Sequence, residues 1–138
     1  MTTYVDNKGH ICYNNFTLSY YGYNIMKVAV IGSRGSTIDN IADYLPQNCT
    51  EIVSGGAKGI DLCAAEYAKN NGLKLIEFKP EYSLYGKNAP LVRNREIVDY
   101  SDIVLAFWDG SSKGTKFVID YCRKVGKNFT VILLKEDR

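Results

Sequence analysis

The chain has 138 residues, enough for one domain with its own hydrophobic core, and its 46% hydrophobic and 23% charged residues are ordinary for a globular protein. The formal net charge of +2 permits an anionic ligand. It is smaller than the positive charge of a typical nucleic-acid-binding protein. No apolar run approaches the roughly 20 residues of a membrane span, and the polar beginning does not resemble a signal peptide, so we expect a cytoplasmic protein without a membrane partner.

The first 25 residues are polar and aromatic and predict an N-terminal extension. Within it, "HICY" (10–13) and "FTLSYY" (16–21) are candidates for the two strands of a hairpin. The regular pattern begins at residue 26, so we predict one domain over residues 26–138.

In that domain, apolar segments of two kinds alternate. Runs rich in Val and Ile predict five strands, at residues 27–33, 50–55, 74–79, 102–109 and 128–134. Helical spacing of apolar residues predicts four helices between them, at residues 36–45, 58–71, 89–101 and 115–126. Such alternation predicts a three-layer, Rossmann-like α/β fold, with a parallel sheet of about five strands and helices on both faces.

Glycine-rich loops follow three of the predicted strands: "GSRGS", "SGGAKG" and "WDGSSKGT". The carboxyl ends of parallel strands meet at one edge of a sheet, where ligands bind. A glycine-rich turn before a helix also brings unpaired backbone N–H groups toward an anion. One such loop is explained as well by a tight turn without a ligand, but three at one edge favour a phosphate-binding site.

The four cysteines are scattered, without a C-x-x-C pair, and the chain has a single histidine, His10, to which we assign no chemistry. Cys63 and Cys122 fall in predicted helices with apolar faces, which indicates buried free thiols. We therefore expect no metal site, no cofactor and a reducing compartment.

Three motifs, "VAVIGSRGST", "IVSGGAKGID" and "VRNREIVDYSDIVLAFWDGSSKGT", resemble the Rossmann-like core of the SLOG superfamily over about residues 27–134. That superfamily includes DNA-processing protein A (Smf), the lonely-guy phosphoribohydrolases and small stand-alone YpsA/YspA-like proteins. The motifs are most similar to those of DNA-processing protein A, but the chain shows neither flanking domain of that protein, so the stand-alone members are the better comparison. By this resemblance the ligand-binding residues are Gly32, Ser33, Arg34, Ser54, Gly55, Gly56, Gly59, Asp61, Arg93, Asn94 and Arg95.

The same three loops supply further candidates for ligand binding. These are Gly35, Lys58, Trp108, Asp109, Gly110, Ser111, Ser112, Gly114 and Thr115. Trp108 either stacks on a base or fills the sheet edge, and Thr115 either caps its helix or contacts phosphate. The loop containing Tyr82 and Tyr85 is long enough to act as a lid.

Several candidates have a structural alternative. Arg34 offers a fork of donors suited to phosphate, or forms a surface ion pair. Asp61 binds a ribose hydroxyl, or only stabilises the start of its helix. Arg93 and Arg95 are two apart on a helix, so one faces the ligand and the other faces solvent.

Catalysis is tested by comparison with the lonely-guy enzymes, whose motif after the fourth strand, P-G-G-x-G-T-x-x-E, ends in an acid. Here Val118 occupies that position, while the phosphate-binding turn is kept. For an N-glycosidase, the remaining acids nearby are Asp61, Asp109 and Asp120.

These residues predict a nucleotide-binding domain that acts as a sensor or sequestering module. Two alternatives stay open: a nucleoside 5′-monophosphate N-glycosidase, and a single-stranded DNA-binding protein resembling DNA-processing protein A, which the low net charge disfavours. By analogy with small SLOG-like domains we also expect a homo-oligomer.

Overall fold

The computed structural model describes the backbone of residues 2–5, 11–15 and 25–134, with side chains from residue 25 onward. The strands are β1 (Thr2–Val5), β2 (Ile11–Asn15), β3 (Lys27–Gly32), β4 (Glu51–Ser54), β5 (Lys74–Glu77), β6 (Ile103–Trp108) and β7 (Asn128–Leu133). The helices are α1 (Ile60–Asn70), α2 (Tyr82–Tyr85), α3 (Ala89–Tyr100) and α4 (Lys113–Val125). In this part of the chain no helix is long and apolar enough to cross a membrane.

All strands belong to one sheet in the order β1-β2-β7-β6-β3-β4-β5. The five strands from β7 to β5 are parallel, as the alternating pattern predicts. The central strand β3 is buried on both faces, which is why its sequence is an unbroken apolar run. The predicted Rossmann-like fold class is therefore confirmed.

Each face of the sheet carries its own hydrophobic cluster. On one face, Ala64 and Ala68 of α1 pack against Val28 and Val30 of β3. On the other, α3 and α4 cover the sheet through apolar residues that include Ile97 and Val118. The two layers of helices hold the ends of β3, β4 and β6 in fixed positions.

The strands β1 and β2 pair with each other in antiparallel fashion, and β2 pairs with β7. The strand β2 overlaps the predicted "HICY" segment, but its partner in the hairpin is Thr2–Val5. The second predicted strand, at residues 16–21, lies outside the described residues. The domain boundary at residues 25 and 26 stays a prediction.

The predicted helix at residues 36–45 is wrong, because only a 3-10 turn, Ile41–Asp43, forms there. The side chain of Asn40 donates to Asp43 Oδ2 at 2.6 Å, so these polar groups bond to each other. Short polar side chains of this kind compete with helical hydrogen bonding, and Pro46 follows at once. The apolar residues Ile38 and Leu45 nevertheless pack against the core, which explains the helix-like spacing.

The other three predicted helices form, and their bounds differ from the predicted ones by at most two residues. Of the two thiols expected to be buried in them, Cys122 is buried and Cys63 is half-buried. The Tyr-rich loop, predicted as irregular, contains the short helix α2. The neighbours β6, β3 and β4 are followed by the three glycine-rich loops, which therefore lie side by side at the carboxyl edge of the sheet.

Candidate functional site

A cavity of about 350 Å³, the loop cavity, lies where the three glycine-rich loops meet. Its lining comes from the end of β3, the β4–α1 loop, one side of α3 and the beginning of α4. The predicted residues in the lining are Gly32, Ser33, Arg34, Gly35, Gly55, Asp61, Arg93, Asn94, Asp109, Ser112, Gly114 and Thr115. The fold thus brings together residues that are far apart in sequence.

Two glycines allow the β3 loop to lie directly against the start of α1. A Cβ atom at Gly32 would lie 2.5 Å from Ile60 Cγ1, and one at Gly59 would lie 2.5 Å from the carbonyl oxygen of Arg34. Gly59 also has a φ of +71°, which other residues rarely adopt. A larger residue at either position would push the loop away from the helix N-terminus.

Arg93 is the buried cation of the loop cavity, with 8% of its surface exposed. Its Nη1 donates to the carbonyl oxygen of Gly55 at 2.8 Å, and its Nε donates to Asn94 Oδ1 at 2.9 Å. Burial lowers the pKa of the guanidinium, while the attraction of Asp61 opposes that effect. Arg93 is therefore held by Asn94 on one side and by the β4–α1 loop on the other.

Asp61 is the buried carboxylate of the cavity, 7% exposed, in the first turn of α1. Its Oδ2 accepts a hydrogen bond from the backbone N–H of Ala57 at 3.2 Å. Burial raises its pKa above the ordinary value, although this bond and the charges of Arg93 and Arg34 act in the opposite direction. Asp61 therefore both fixes the loop and presents a proton-binding group to the cavity.

The third loop is held by Asp109, whose Oδ1 accepts hydrogen bonds from the backbone N–H groups of Ser111 at 2.9 Å and Ser112 at 2.7 Å. These bonds lower the pKa of the Asp109 carboxyl. The indole Nε1 of Trp108 donates to the carbonyl oxygen of Ser112 at 3.0 Å. Together these contacts fix the direction in which α4 begins, with Thr115 buried at the cavity wall.

Ser33 differs from the other polar groups of the site. It is only 3% exposed, yet its Oγ makes no hydrogen bond to the part of the chain that the structure describes. Its hydroxyl nevertheless lies near enough to Asp109 to contribute to the lowered pKa of that carboxyl. The interaction with Asp109 is weak, so the Ser33 hydroxyl keeps hydrogen-bonding capacity at the wall of the loop cavity.

A second cavity of about 710 Å³, the lysine cavity, adjoins the first and shares Arg34, Gly55, Ala57 and Arg93 with it. Lys58, Lys79, Pro80 and Tyr82 complete its wall, together with Gly56. Tyr82 comes from α2, in the loop expected to act as a lid. Lys79 and Pro80 were not predicted as site residues, because they lie at the end of the predicted third strand and the start of the Tyr-rich loop, where no motif indicates a ligand.

Six predicted residues line neither cavity. Ser54 is buried beneath the site, where its Oγ accepts from the N–H of Gly56 at 3.3 Å. Gly59 lies behind the β3 loop, and Gly110 and Ser111 lie in the loop before α4. Arg95 lies over the ring of Phe117, at 5.5 Å from its centroid.

The sixth of these residues, Trp108, borders a separate cavity of about 320 Å³ that lies between α4 and β7. Of the two arginines considered on α3, Arg93 faces the loop cavity and Arg95 does not.

The acids named for catalysis are distributed unequally. Asp61 and Asp109 line the loop cavity, whereas Asp120 is exposed on the outer side of α4 and pairs with Lys116 at 2.9 Å. Val118 is fully buried in the core beneath the site. Among the described residues, no group of His, Cys, Asp and Glu could hold a metal ion.

Four further residues line the loop cavity without having been predicted: Ile31, Ala57, Pro90 and Ile97. Ile97 follows Arg93 by one helical turn, so the helical period of α3 was the available signal for it. Pro90 lies in the first turn of α3, where proline is favoured for the helix alone.

In a comparison with known protein families, residues 26–85 match the model of the YspA, cpYpsA-related SLOG family. The match begins just before β3 and contains the first two glycine-rich loops. It supports the SLOG resemblance of the motifs and the likeness to YpsA-like members. Neither the curated proteins nor the solved structures include a match.

Proposed function

Because the chain belongs to the SLOG superfamily, we propose that it binds a nucleotide or a nucleotide-derived ligand in the loop cavity. The ligand phosphate lies between the N-terminal ends of α1 and α4, where backbone N–H groups carry partial positive charge. Arg34 supplies the second charge from the β3 loop. The protein then acts as a sensor of the ligand or holds it in reserve.

The observation that carries this proposal is the Ser33 hydroxyl. It is buried, it lines the cavity, and among the described residues it makes no hydrogen bond of good geometry, only a weak interaction with the Asp109 carboxylate. A phosphate oxygen in the cavity would accept a hydrogen bond from this hydroxyl and satisfy the donor. If position 33 served only for packing, alanine would fill it without burying a hydroxyl group.

The charges of the cavity also suit an anion. Arg34 is exposed and forms no ion pair with a carboxylate of the described residues. Asp109 already accepts two backbone N–H groups through Oδ1, and Asp61 Oδ2 accepts the backbone N–H of Ala57. The guanidinium of Arg34 is therefore available to form charge-assisted bonds with phosphate.

A second candidate function is hydrolysis of the glycosidic bond of a nucleoside monophosphate. It is favoured by one observation, the raised pKa of Asp61 in the cavity, which is a property of general acids. Asp120 is disfavoured because it lies on the outer side of α4, and Asp109 because its pKa is lowered. The buried Val118 leaves no carboxylate at the position of the lonely-guy acid, so binding without hydrolysis remains the first proposal.

The test is calorimetric titration of the protein with 5′-AMP and 5′-GMP, followed by chromatography of the mixture for free base. We expect saturable binding and no free base. The Arg34→Ala variant should bind about ten to a hundred times more weakly, because one charge-assisted bond is lost. Arg95→Ala, which removes the same charge outside the cavity, is the matched control.

Equal losses in the Arg34→Ala and Arg95→Ala variants would contradict the site. Free base released by the wild type but not by Asp61→Asn would replace the binding proposal with the hydrolytic one.

We also propose that the protein forms a homo-oligomer, since α2 and the first turn of α3 expose the apolar side chains of Leu84, Tyr85 and Leu91. Light scattering at high protein concentration tests this, and a monomer alone would contradict it.

A further inference from the structure

The lysine cavity has a charge composition different from that of the loop cavity. Among the residues that the structure describes, its lining contains Arg34, Lys58, Lys79 and Arg93 and no carboxylate. The loop cavity has the same two arginines but also Asp61 and Asp109. Positive charge is therefore concentrated in the lysine cavity, whose wall includes Tyr82 of α2.

The two lysines form no ion pair among the described residues, because no carboxylate oxygen there lies within 4.0 Å of the ammonium group of Lys58 or Lys79. Glu77, at the end of β5, is the acid beside Lys79: a Cβ atom at Gly56 would lie 2.6 Å from Glu77 Oε2 and 3.5 Å from Lys79 Cε. Its single negative charge leaves the cavity with a net positive charge. Four cations around one space repel each other, and an anion between them would relieve that repulsion.

The loop that carries Lys58 is also held in place by its surroundings. Gly56 has a φ of +70°, and a Cβ atom there would lie 2.6 Å from Glu77 Oε2. The N–H of Gly56 donates to Ser54 Oγ, and the N–H of Ala57 donates to Asp61 Oδ2. The backbone that bears Lys58 is therefore fixed relative to the strand that precedes Lys79.

The two groups of anion-binding residues are separate. Ser33 and Thr115 line only the loop cavity, whereas Lys58 and Lys79 line only the lysine cavity, and Arg34 and Arg93 border both. A phosphate bound against Ser33 therefore leaves the lysines without an anion.

From this arrangement, and resting on the proposed function above, we infer that the ligand is a nucleotide with two phosphate groups. One phosphate occupies the loop cavity at Ser33. The second lies in the lysine cavity between Lys58 and Lys79, with the arginines between the two positions. The exposed ring of Tyr82 at the rim of the lysine cavity offers a flat surface to the base.

The experiment compares three probes by calorimetric titration: 5′-AMP, ADP and adenosine 3′,5′-bisphosphate. ADP carries the second phosphate next to the first, and the bisphosphate carries it across the ribose. Each probe is titrated into the wild type, the double variant Lys58→Gln/Lys79→Gln and the control Lys69→Gln/Lys124→Gln. The control removes the same charge from the C-terminal turns of α1 and α4.

We expect ADP or the bisphosphate to bind the wild type at least about ten times more tightly than 5′-AMP, because of the added charge-assisted bonds. The double variant should lose that gain in affinity over 5′-AMP, whereas the control should keep it. The probe that binds more tightly than 5′-AMP identifies where on the nucleotide the second phosphate is attached.

Equal affinity of the wild type for all three probes would overturn the inference and leave the proposed function standing. A loss for the two-phosphate probes that is as large in the control as in the double variant would also overturn it. If the wild type binds none of the probes, the proposed function itself fails.

Discussion

Gly55 lies between the two buried charges of the candidate site. A Cβ atom at this position would lie 2.5 Å from Arg93 Nη1 and 3.1 Å from Asp61 Oδ2. Because Arg93 is buried and bonded to the carbonyl oxygen of Gly55, it has little room to move. The glycine is therefore needed for close packing of the β4–α1 loop against α3.

The Gly55→Ala substitution should lower the free energy of unfolding by about 1–3 kcal/mol, because it displaces the Arg93 guanidinium from its hydrogen bond. Urea denaturation measures this. Gly35→Ala is the control, since a Cβ atom there meets nothing within 4 Å and φ is not positive. Equal free energies of unfolding for the two variants would show that the Arg93 guanidinium can move aside without loss of stability.

Asp61 should make the folded state less stable as the pH rises. Its pKa is raised by burial above the ordinary 3.8, which the unfolded chain keeps. Between these two values the folded protein holds a proton that the unfolded chain has lost, so stability falls as the pH rises through this interval and stays reduced above it.

The Asp61→Asn variant lacks this titration, and its amide oxygen still accepts from Ala57. The free energy of unfolding of the wild type minus that of Asp61→Asn should therefore decrease as the pH rises from below 3.8 toward neutrality. Urea denaturation at a series of pH values measures it. Parallel curves for the two proteins would contradict the raised pKa.

Much of the candidate site could be predicted at the level of residues, because glycine, serine and arginine together at a strand–loop–helix junction are typical of anion binding. The lining by Pro90 and Ile97 could not, since apolar residues on a helix predict only packing. Which of Arg93 and Arg95 faces the cavity depends on how α3 is rotated against the sheet. That rotation is decided by side chains from several elements at once.

At the scale of elements, the helix α4 begins at the candidate site and is closed at its other end by a C-terminal cap. The helix ends at Gly126, which has a φ of +73° in the left-handed region, and the N–H of Lys127 bonds to the carbonyl oxygen of Cys122 at 3.0 Å. We expect Gly126→Ala to cost about 1–2 kcal/mol in the free energy of unfolding.

Gly114→Ala is the matched control for this cap, because Gly114 lies in the first turn of the same helix with open space around it and without a positive φ. It should be neutral or stabilising by up to about 1 kcal/mol, since alanine favours helix. Thermal or urea denaturation of both variants measures the difference. A loss for Gly114→Ala as large as that for Gly126→Ala would show that the cap conformation is unimportant.

Elements with a strong apolar pattern were the ones that the sequence predicted correctly. The five strands and the helices α1, α3 and α4 have buried faces that leave little choice of structure. Residues 36–45 have the same apolar spacing, but Asn40 and Asp43 satisfy each other and Pro46 follows, so local hydrogen bonding prevailed over periodicity. The pairing of β2 with β7 is a contact between chain segments far apart, which no local pattern encodes.

At the scale of the whole molecule, strand order decides where the site forms. Alternation along the chain predicts that the sheet is parallel, but it does not predict that β3 lies between β6 and β4. This order is what makes three loops from distant segments into neighbours. The candidate residues were therefore identifiable from the sequence, whereas their division into two cavities was not.

The strand order also has a consequence for the time course of folding. The paired strands differ in how far apart they are in the sequence. Residue 51 pairs with residue 74 in β4–β5, residue 28 with residue 103 in β3–β6, and residue 12 with residue 132 in β2–β7. The entropy lost on closing a loop grows with its length, so nearby strands assemble readily and distant ones slowly. The β1–β2 hairpin is held to the sheet by the most distant of these pairings.

We therefore expect the hairpin to join last and to detach first, as a unit of low local stability. Amide hydrogens of residues 12–15 should exchange with deuterium faster than those of residues 104–107 in β6. Nucleotide should slow exchange in the loops after β3, β4 and β6 without protecting the hairpin. Equal protection of β2 and β6 would instead mean that the sheet opens only as a whole.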